Sequence, residues 1–118
     1  MNLDLDKLHA RIQKFSHDRN WDQFHSMKNL SMALSVEASE LAEIFQWMSE
    51  KESNELQHNS EKLQAFRDEV ADVLIYLLRM SYKMNLNLED VVLEKMDKNE
   101  IKYPVSLAFG NAKKYDEY

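Results

Sequence analysis

Four acidic residues form two pairs with the same spacing, Glu37 with Glu40 and Glu69 with Asp72. Residues three apart on a helix are neighbours, so the two carboxylates of each pair can share one ligand. Counted at about 100° per residue, Glu37 and Glu69 lie inside the apolar stripes of their helices, and the second acid of each pair lies about 60° away on the flank. Because burying an unpaired carboxylate costs several kcal/mol, these positions require protonation, pairing with arginine or a metal ion.

Metal binding is the reading that the sequence favours among these three. Arg67 and Arg79 lie at about 160° and 280° from Glu69, away from the carboxylate side of their helix. If the four acids converge at about 6 Å, each pair repels by roughly 3 kcal/mol at an effective dielectric of 20, and divalent cations would remove that repulsion. Oxygen ligands without cysteine favour Mg²⁺, with Mn²⁺ as a second possibility.

Two other interpretations of these acids need weighing. In a chain with 31% charged residues, one such pair alone is ordinary and is typical of a solvated helix surface. Two pairs at the same angular positions on two helices are stronger evidence for a metal site than one pair. A ferritin-like di-iron site requires Glu-x-x-His on each of two helices, and only Glu55 and His58 have that spacing, within a polar segment.

The composition restricts the class of protein. A chain of 118 residues fits one domain, 1–118, and the absence of cysteine excludes disulfides and thiolate sites. The single glycine excludes a glycine-rich phosphate loop. A net charge of -6 makes nucleic acid polymers poor partners. With neither an apolar run of about 18 residues nor a signal-peptide pattern, we expect no membrane association and a cytoplasmic location.

Hydrophobic periodicity predicts an all-α fold, a four-helix bundle. The predicted helices cover about residues 5–19, 27–48, 61–84 and 88–103, with a less regular tail at 104–118. Ser26 and Asn87 are predicted N-caps, and Ser49 with Glu52 is a predicted capping box for a short extra turn. Residues 50–60 are polar and are expected to connect the second and third helices.

The third predicted helix is apolar on every side from Val70 to Leu78, where Asp72 carries the only charge. A helix of that kind must be enclosed, and four helices can hardly surround one of their own. We therefore expect a homodimer or homotetramer.

The acidic pairs, separated by 28 residues between Glu40 and Glu69, resemble the E-x-x-E and E-x-x-D signature of the MazG-like all-α nucleoside triphosphate pyrophosphohydrolases. Their flanks are similar to the dCTP pyrophosphatase branch of that superfamily. The matching segments are WDQFH at 21–25, KNL at 28–30, EASELAEIFQW at 37–47, DEVADVLIYL at 68–77 and KMDKNEIKYP at 95–104.

The resemblance implies hydrolysis of a (d)NTP to the monophosphate and pyrophosphate, as nucleotide-pool house-cleaning. It implies that Mg²⁺ is held by Glu37, Glu40, Glu69 and Asp72, with Glu40 and Glu37 as catalytic residues. It also implies substrate contacts from the aromatic residues and histidine Trp21, Phe24, His25, Trp47 and Tyr76, and phosphate contacts from Lys95 and Asn99. The alternative is a non-catalytic helical interaction module that keeps the fold and the metal site.

One position departs from the pattern of the branch. Where its eukaryotic members present a histidine to the substrate, this sequence has Ile12. We therefore expect the substrate to be either dCTP-like or one of a broader set of deoxynucleotides.

Overall fold

All regular structure in the chain is helical, which confirms the all-α prediction. The computed structural model describes residues 1–118 and contains six α-helices: α1 (Leu5–Asp18), α2 (Met27–Glu43), α3 (Glu50–Asn54), α4 (Ser60–Lys83), α5 (Leu88–Lys102) and α6 (Val105–Ala108). Three short 3₁₀ helices cover Asp22–Phe24, Leu56–His58 and Tyr115–Glu117. None of these helices combines the length and the hydropathy needed to cross a membrane.

The helices begin where polar side chains can cap them. The Ser26 hydroxyl accepts a hydrogen bond from the Asn29 amide at 3.0 Å, and the Asn87 side chain accepts one from the Asp90 amide at 3.1 Å. Each cap satisfies an amide that has no partner within its helix. Both predicted N-caps are confirmed.

The second predicted helix is too long. Helix α2 ends at Glu43, and residues up to Met48 form tight turns, with the Phe45 amide bonded to the Ala42 carbonyl at 3.0 Å. The amides of Gln46 and Met48 likewise bond to the carbonyls three residues back, those of Glu43 and Phe45, so the α-helical pattern gives way to tighter turns. Ser49 then begins α3 and forms the capping box with Glu52, which confirms that prediction.

Residues 50–60 contain more helix than expected for a polar connecting segment. They contain α3 and the 3₁₀ helix Leu56–His58, which packs against α4. Leu56 is 8% exposed. One apolar side chain thus anchors an otherwise polar segment to the helix that follows it.

Contacts divide the chain into two compact units, Met1–Met84 and Asn85–Tyr118. In the first unit, α2 and α1 both pack against α4. Leu30 of α2 and Leu78 of α4 are each 1% exposed and form the centre of this core. The packing of α2 on α4 brings the two acidic pairs of the sequence onto neighbouring helices.

The second unit contains α5, α6 and the last 3₁₀ helix. Within the tail, Gly110 has φ +77°, a left-handed conformation that glycine adopts without strain. The ring of Tyr103 contacts the rings of Tyr115 and Tyr118 at centroid distances of 6.2 and 6.1 Å. These contacts order the tail that the sequence pattern left without a defined structure.

Candidate active site

Three carboxylates from two helices meet where α2 packs against α4. One oxygen from each of Glu37, Glu40 and Glu69 lies within 4.8 Å of the others. Asp72 is not part of this group of three. It is half-buried one turn further along α4 and lines a neighbouring cavity. The structure therefore brings three of the four predicted acids into one cluster and places the fourth beside it.

Mutual proximity changes the acidity of these groups. A hydrogen bond with Glu37, followed by burial and the nearness of Glu40, raises the pKa of Glu69 to about 7. For Glu37, the hydrogen bond with Glu69 lowers the pKa, but burial and the charges on Glu40 and Asp72 outweigh it, so the net shift is upward. Raised pKa values are expected for carboxylates that crowd one site without a compensating cation.

The cluster also contains unsatisfied polar atoms. Oε2 of Glu37 and Oε2 of Glu69 are both buried, and neither has a hydrogen-bond partner. Such atoms are rare in folded proteins and require an explanation. Carboxylate oxygens that point at one another from two helices are the donor set that a hard divalent cation prefers. The residues present therefore fit a metal ion of the Mg²⁺ type.

A cavity of about 560 Å³ lies alongside the cluster in the first unit. Its walls come mainly from the apolar side chains of α1 and α4, including Leu8, Ile12, Phe15, Leu74, Ile75 and Leu78. Asp72 and Tyr76 line the same cavity from α4. Burial, and then the nearness of Glu37 and Asp72, raises the pKa of Tyr76, so its phenol keeps its proton and can donate a hydrogen bond.

The residues predicted to contact the base fall into two groups. Trp21, His25 and Tyr76 line the cavity. Phe24 and Trp47 are not among its lining residues and have exposed rings, 59% and 90% accessible. Trp47 lies in the turns that follow the end of α2.

The residues predicted to contact phosphate belong to the second unit. Lys95 and Asn99 are one turn apart on α5, so they share a face of that helix. Lys95 is exposed, and Asn99 is half-buried.

Sequence reasoning missed Arg79 at the cavity wall. Arg79, which is only 6% exposed, forms an ion pair with Asp22 and donates a hydrogen bond from Nε to Nδ1 of His25 at 3.3 Å. The available signal was an arginine placed directly after the apolar segment 73–78, where a charge needs a partner. The identity of that partner, 57 residues earlier, depends on the tertiary fold.

The known proteins that this chain resembles, in sequence and in structure, are pyrophosphatases. The chain is 40% identical to dCTP pyrophosphatase 1 of Rattus norvegicus and of Homo sapiens over 114 residues. That alignment covers 97% of this chain and 65% of each relative, so the chain spans less than two thirds of their length. The crystal structure of a pyrophosphatase from Archaeoglobus fulgidus matches with a TM-score of 0.77 at 38% identity, covering 88% of this chain and 95% of that one.

A model of the MazG-like family matches residues 32–118. The matched range includes all four acids of the two pairs as well as Lys95 and Asn99. With the all-α fold and the carboxylate cluster between α2 and α4, this match establishes that the chain belongs to the MazG-like family.

Proposed function

We propose that this protein is a Mg²⁺-dependent nucleoside triphosphate pyrophosphohydrolase that converts dCTP or a broader set of dNTPs to the monophosphate and pyrophosphate. The observation that carries the proposal is the cluster of Glu37, Glu40 and Glu69 beside a cavity that Asp72 and Tyr76 also line. Half-buried acidic groups destabilise the fold unless their charge is neutralised. A divalent metal ion bound together with a triphosphate would neutralise it, since such an ion takes carboxylate and phosphate oxygens as ligands.

The four acids are proposed to face the metal, with Glu37, Glu69 and Asp72 as the main ligands and Glu40 contributing least to metal affinity. Glu37 and Glu69 are half-buried and offer their unpartnered oxygens, Glu40 is exposed, and Asp72 lies on the side of the cavity. Mg²⁺ fits this oxygen donor set best, and Mn²⁺ could replace it. When bound, the metal neutralises triphosphate charge and lowers the pKa of a bound water.

Glu40 is proposed to act as the general base. In the reaction, a water oxygen forms a bond to the α-phosphorus while the bond from that phosphorus to the α–β bridging oxygen breaks, and pyrophosphate leaves. Glu40 accepts the proton that the water loses. Its exposure gives water access, whereas Glu37 is more enclosed and is proposed mainly to orient and ligate.

The base is proposed to bind in the cavity of about 560 Å³, a volume in the range of small-molecule sites, roughly 300–1,000 Å³. Trp21 supplies an aromatic face, and His25 and Tyr76 supply hydrogen-bonding groups. The exposed rings of Phe24 and Trp47 are proposed to stack on substrate from outside the cavity. Lys95 and Asn99 are proposed to contact the phosphates.

The assembly is proposed to be a homodimer or homotetramer built from one MazG-like domain, residues 1–118, acting in the cytoplasm. Two apolar side chains of α4 that lie outside the cavity lining support the oligomer because they stay exposed in the single chain: Val70 is 42% accessible and Leu77 43%. Light scattering coupled to size-exclusion chromatography tests this, and a mass of one chain would contradict it.

Product analysis tests the activity directly. The protein is incubated with dCTP and Mg²⁺, and the phosphorus NMR spectrum is followed. Appearance of dCMP and pyrophosphate in equal amounts is expected, whereas release of inorganic phosphate with dCDP would indicate a phosphatase instead. No turnover of any of the eight common triphosphates, with divalent metal still bound, would favour a non-catalytic interaction module.

A further inference from the structure

Arg79 is a buried cation that no catalytic step described above uses. It lies on α4 one turn after Tyr76 and lines the same cavity, with a side chain that is 7% exposed. Its guanidinium has two partners, Asp22 through Nη2 and His25 through Nε. Both partners belong to the turn 21–25 that follows α1, so a single side chain connects α4 to that turn.

The ion pair with Asp22 limits the ability of the Arg79 guanidinium to bind a second anion. A buried guanidinium is costly unless an anion neutralises it, and Asp22 supplies that anion. With its charge paired and its Nε–H engaged, Arg79 is poorly placed to act as a phosphate ligand. Its contacts instead fix the position of its partners.

The turn that Arg79 fixes carries two of the residues lining the cavity. Trp21 packs its ring against Phe15 at a centroid distance of 5.5 Å, edge to face, and its amide bonds to the Ser16 carbonyl at 2.9 Å. The Trp21 and His25 rings are 6.5 Å apart, also edge to face. These rings form one wall of the cavity, and Arg79 links that wall to the helix bearing Tyr76 and Asp72.

The hydrogen bond from Arg79 also selects one form of His25. Since Nδ1 accepts the guanidinium proton at 3.3 Å, the proton of the neutral imidazole must be on Nε2. Burial, and then the positive charge of Arg79, lowers the pKa of His25 against the opposing effect of Asp22, with a further lowering by Lys83. The ring is therefore neutral at pH 7 and has one N–H donor available, on Nε2.

We propose that Arg79 is a positioning residue for base recognition: through Asp22 and His25 it holds the turn 21–25 at the cavity and makes Nε2–H of His25 the donor to an acceptor atom of the nucleobase. This inference rests on the function proposed above. It places one hydrogen-bond donor, Nε2–H of His25, in a cavity wall that is otherwise mostly apolar. Bases with a hydrogen-bond acceptor at that point are then preferred, while the ring of Trp21 stacks on the face of the base.

The first part of the test determines the tautomer of the His25 imidazole in the absence of substrate. Long-range ¹H–¹⁵N NMR spectra of the wild type at pH 7.5 are assigned for His25 by comparison with His25→Gln. We expect the Nε2–H tautomer in the wild type and a mixture of both tautomers in Arg79→Met. An Nδ1–H tautomer in the wild type, or an unchanged His25 signal in Arg79→Met, would overturn the proposal.

The second part measures steady-state kinetics with dCTP and Mg²⁺. Arg79→Met is expected to raise KM about tenfold and leave kcat within about twofold, because the carboxylate cluster is untouched. The double variant of Arg79→Met and His25→Phe should lose less than the sum of the two single variants, since the two residues share the His25 donor. Additive losses, or a fall in kcat with unchanged KM, would contradict a positioning role.

Two further variants keep the test decisive. Arg67→Met removes an exposed arginine of the same helix and should match the wild type. If Arg79→Met does not fold, Asp22→Asn weakens the same connection from the exposed side and should give a smaller rise in KM. Should the wild type hydrolyse no nucleotide, the proposed function fails, and calorimetric binding of dCTP then decides: equal Kd for wild type and Arg79→Met would overturn the role of Arg79.

Discussion

Glu37 of α2 and Glu69 of α4 place carboxylate oxygens within 4.8 Å of each other, and each residue has one buried oxygen without a hydrogen-bond partner. The contact exists because α2 packs along α4 and both helices carry an acid within the apolar stripe that faces the other. Packing forces the acids together, and their repulsion opposes it. A divalent cation between them would turn this unfavourable arrangement into a stable one.

The first prediction separates the proposed base from the ligands. Glu40→Gln is expected to lower kcat by about 10²- to 10⁴-fold, the usual contribution of a general base, and to leave Mn²⁺ affinity within a few-fold of the wild type. Titration with Mn²⁺ monitored by electron paramagnetic resonance checks the second part. Glu43→Gln, an exposed acid of the same helix, is the matched control. Equal loss of turnover and metal affinity would make Glu40 a ligand only.

The second prediction concerns pH. The pKa of Glu69 is raised to about 7 in the folded protein from 4.5, so the folded state holds a proton that the unfolded state releases between these values. The contribution of Glu69 to stability is therefore complete below pH 4.5 and is lost as the pH rises through 7. Without metal, we expect the Tm to fall between pH 5 and pH 7 and Mg²⁺ to reverse that fall. The same slope in Glu69→Gln would contradict this origin.

The third prediction concerns the phosphate contacts. Lys95→Met should raise the KM for dCTP by about 10- to 100-fold, as expected for the loss of a hydrogen bond to a charged group, and Asn99→Ala should have a smaller effect in the same direction. Lys62→Met, which removes an exposed lysine near the start of α4, serves as the control. Wild-type kinetics in Lys95→Met would exclude this lysine from the substrate site.

The fourth prediction addresses base preference. Ile12 lines the cavity where a histidine is expected in eukaryotic members of the dCTP pyrophosphatase branch. Ile12→His should raise the ratio of kcat/KM for dCTP over dATP by about tenfold, the value of one added hydrogen bond. Ile12→Val keeps the wall apolar and should leave the ratio unchanged. An unchanged ratio in Ile12→His would mean that this position does not face the base.

The fifth prediction tests the core that supports the site. Leu30 is 1% exposed, so Leu30→Ala should lower the free energy of unfolding by about 2–5 kcal/mol in urea denaturation. Val36→Ala on the same helix removes a 55% exposed side chain and should change it by no more than about 0.5 kcal/mol. Similar losses in both variants would contradict the observed packing of α2.

The sequence predicts the helices and the carboxylates well because both depend on local spacing. Ser26, Asn87 and the Ser49–Glu52 capping box begin helices as expected, and Glu37, Glu40 and Glu69 meet as their phase indicates. The end of α2 was wrong by five residues. Apolar periodicity continues through Ile44 and Met48, but the amides of Phe45, Gln46 and Met48 bond three residues back instead of four, and side-chain periodicity does not reveal that change.

The rest depends on contacts between distant residues. Nothing in the spacing of Asp22 and His25 indicates that Arg79 binds both, since only the packing of α1 and its following turn on α4 brings them together. The resemblance names Phe24 and Trp47 together with Trp21, and of these three only Trp21 lines the cavity. The direction of a ring in a turn depends on tertiary packing, which a matching motif does not describe.

Anomalous X-ray scattering from crystals grown with Mn²⁺ and a non-hydrolysable dCTP analogue would locate the metal and the nucleotide in one experiment. We expect a manganese peak bounded by the carboxylates of Glu37, Glu40 and Glu69, with the α-phosphate of the analogue beside it and the base in the cavity lined by Trp21. A protein that hydrolyses dCTP in solution but shows its manganese away from these carboxylates, or none at all, would contradict this expectation.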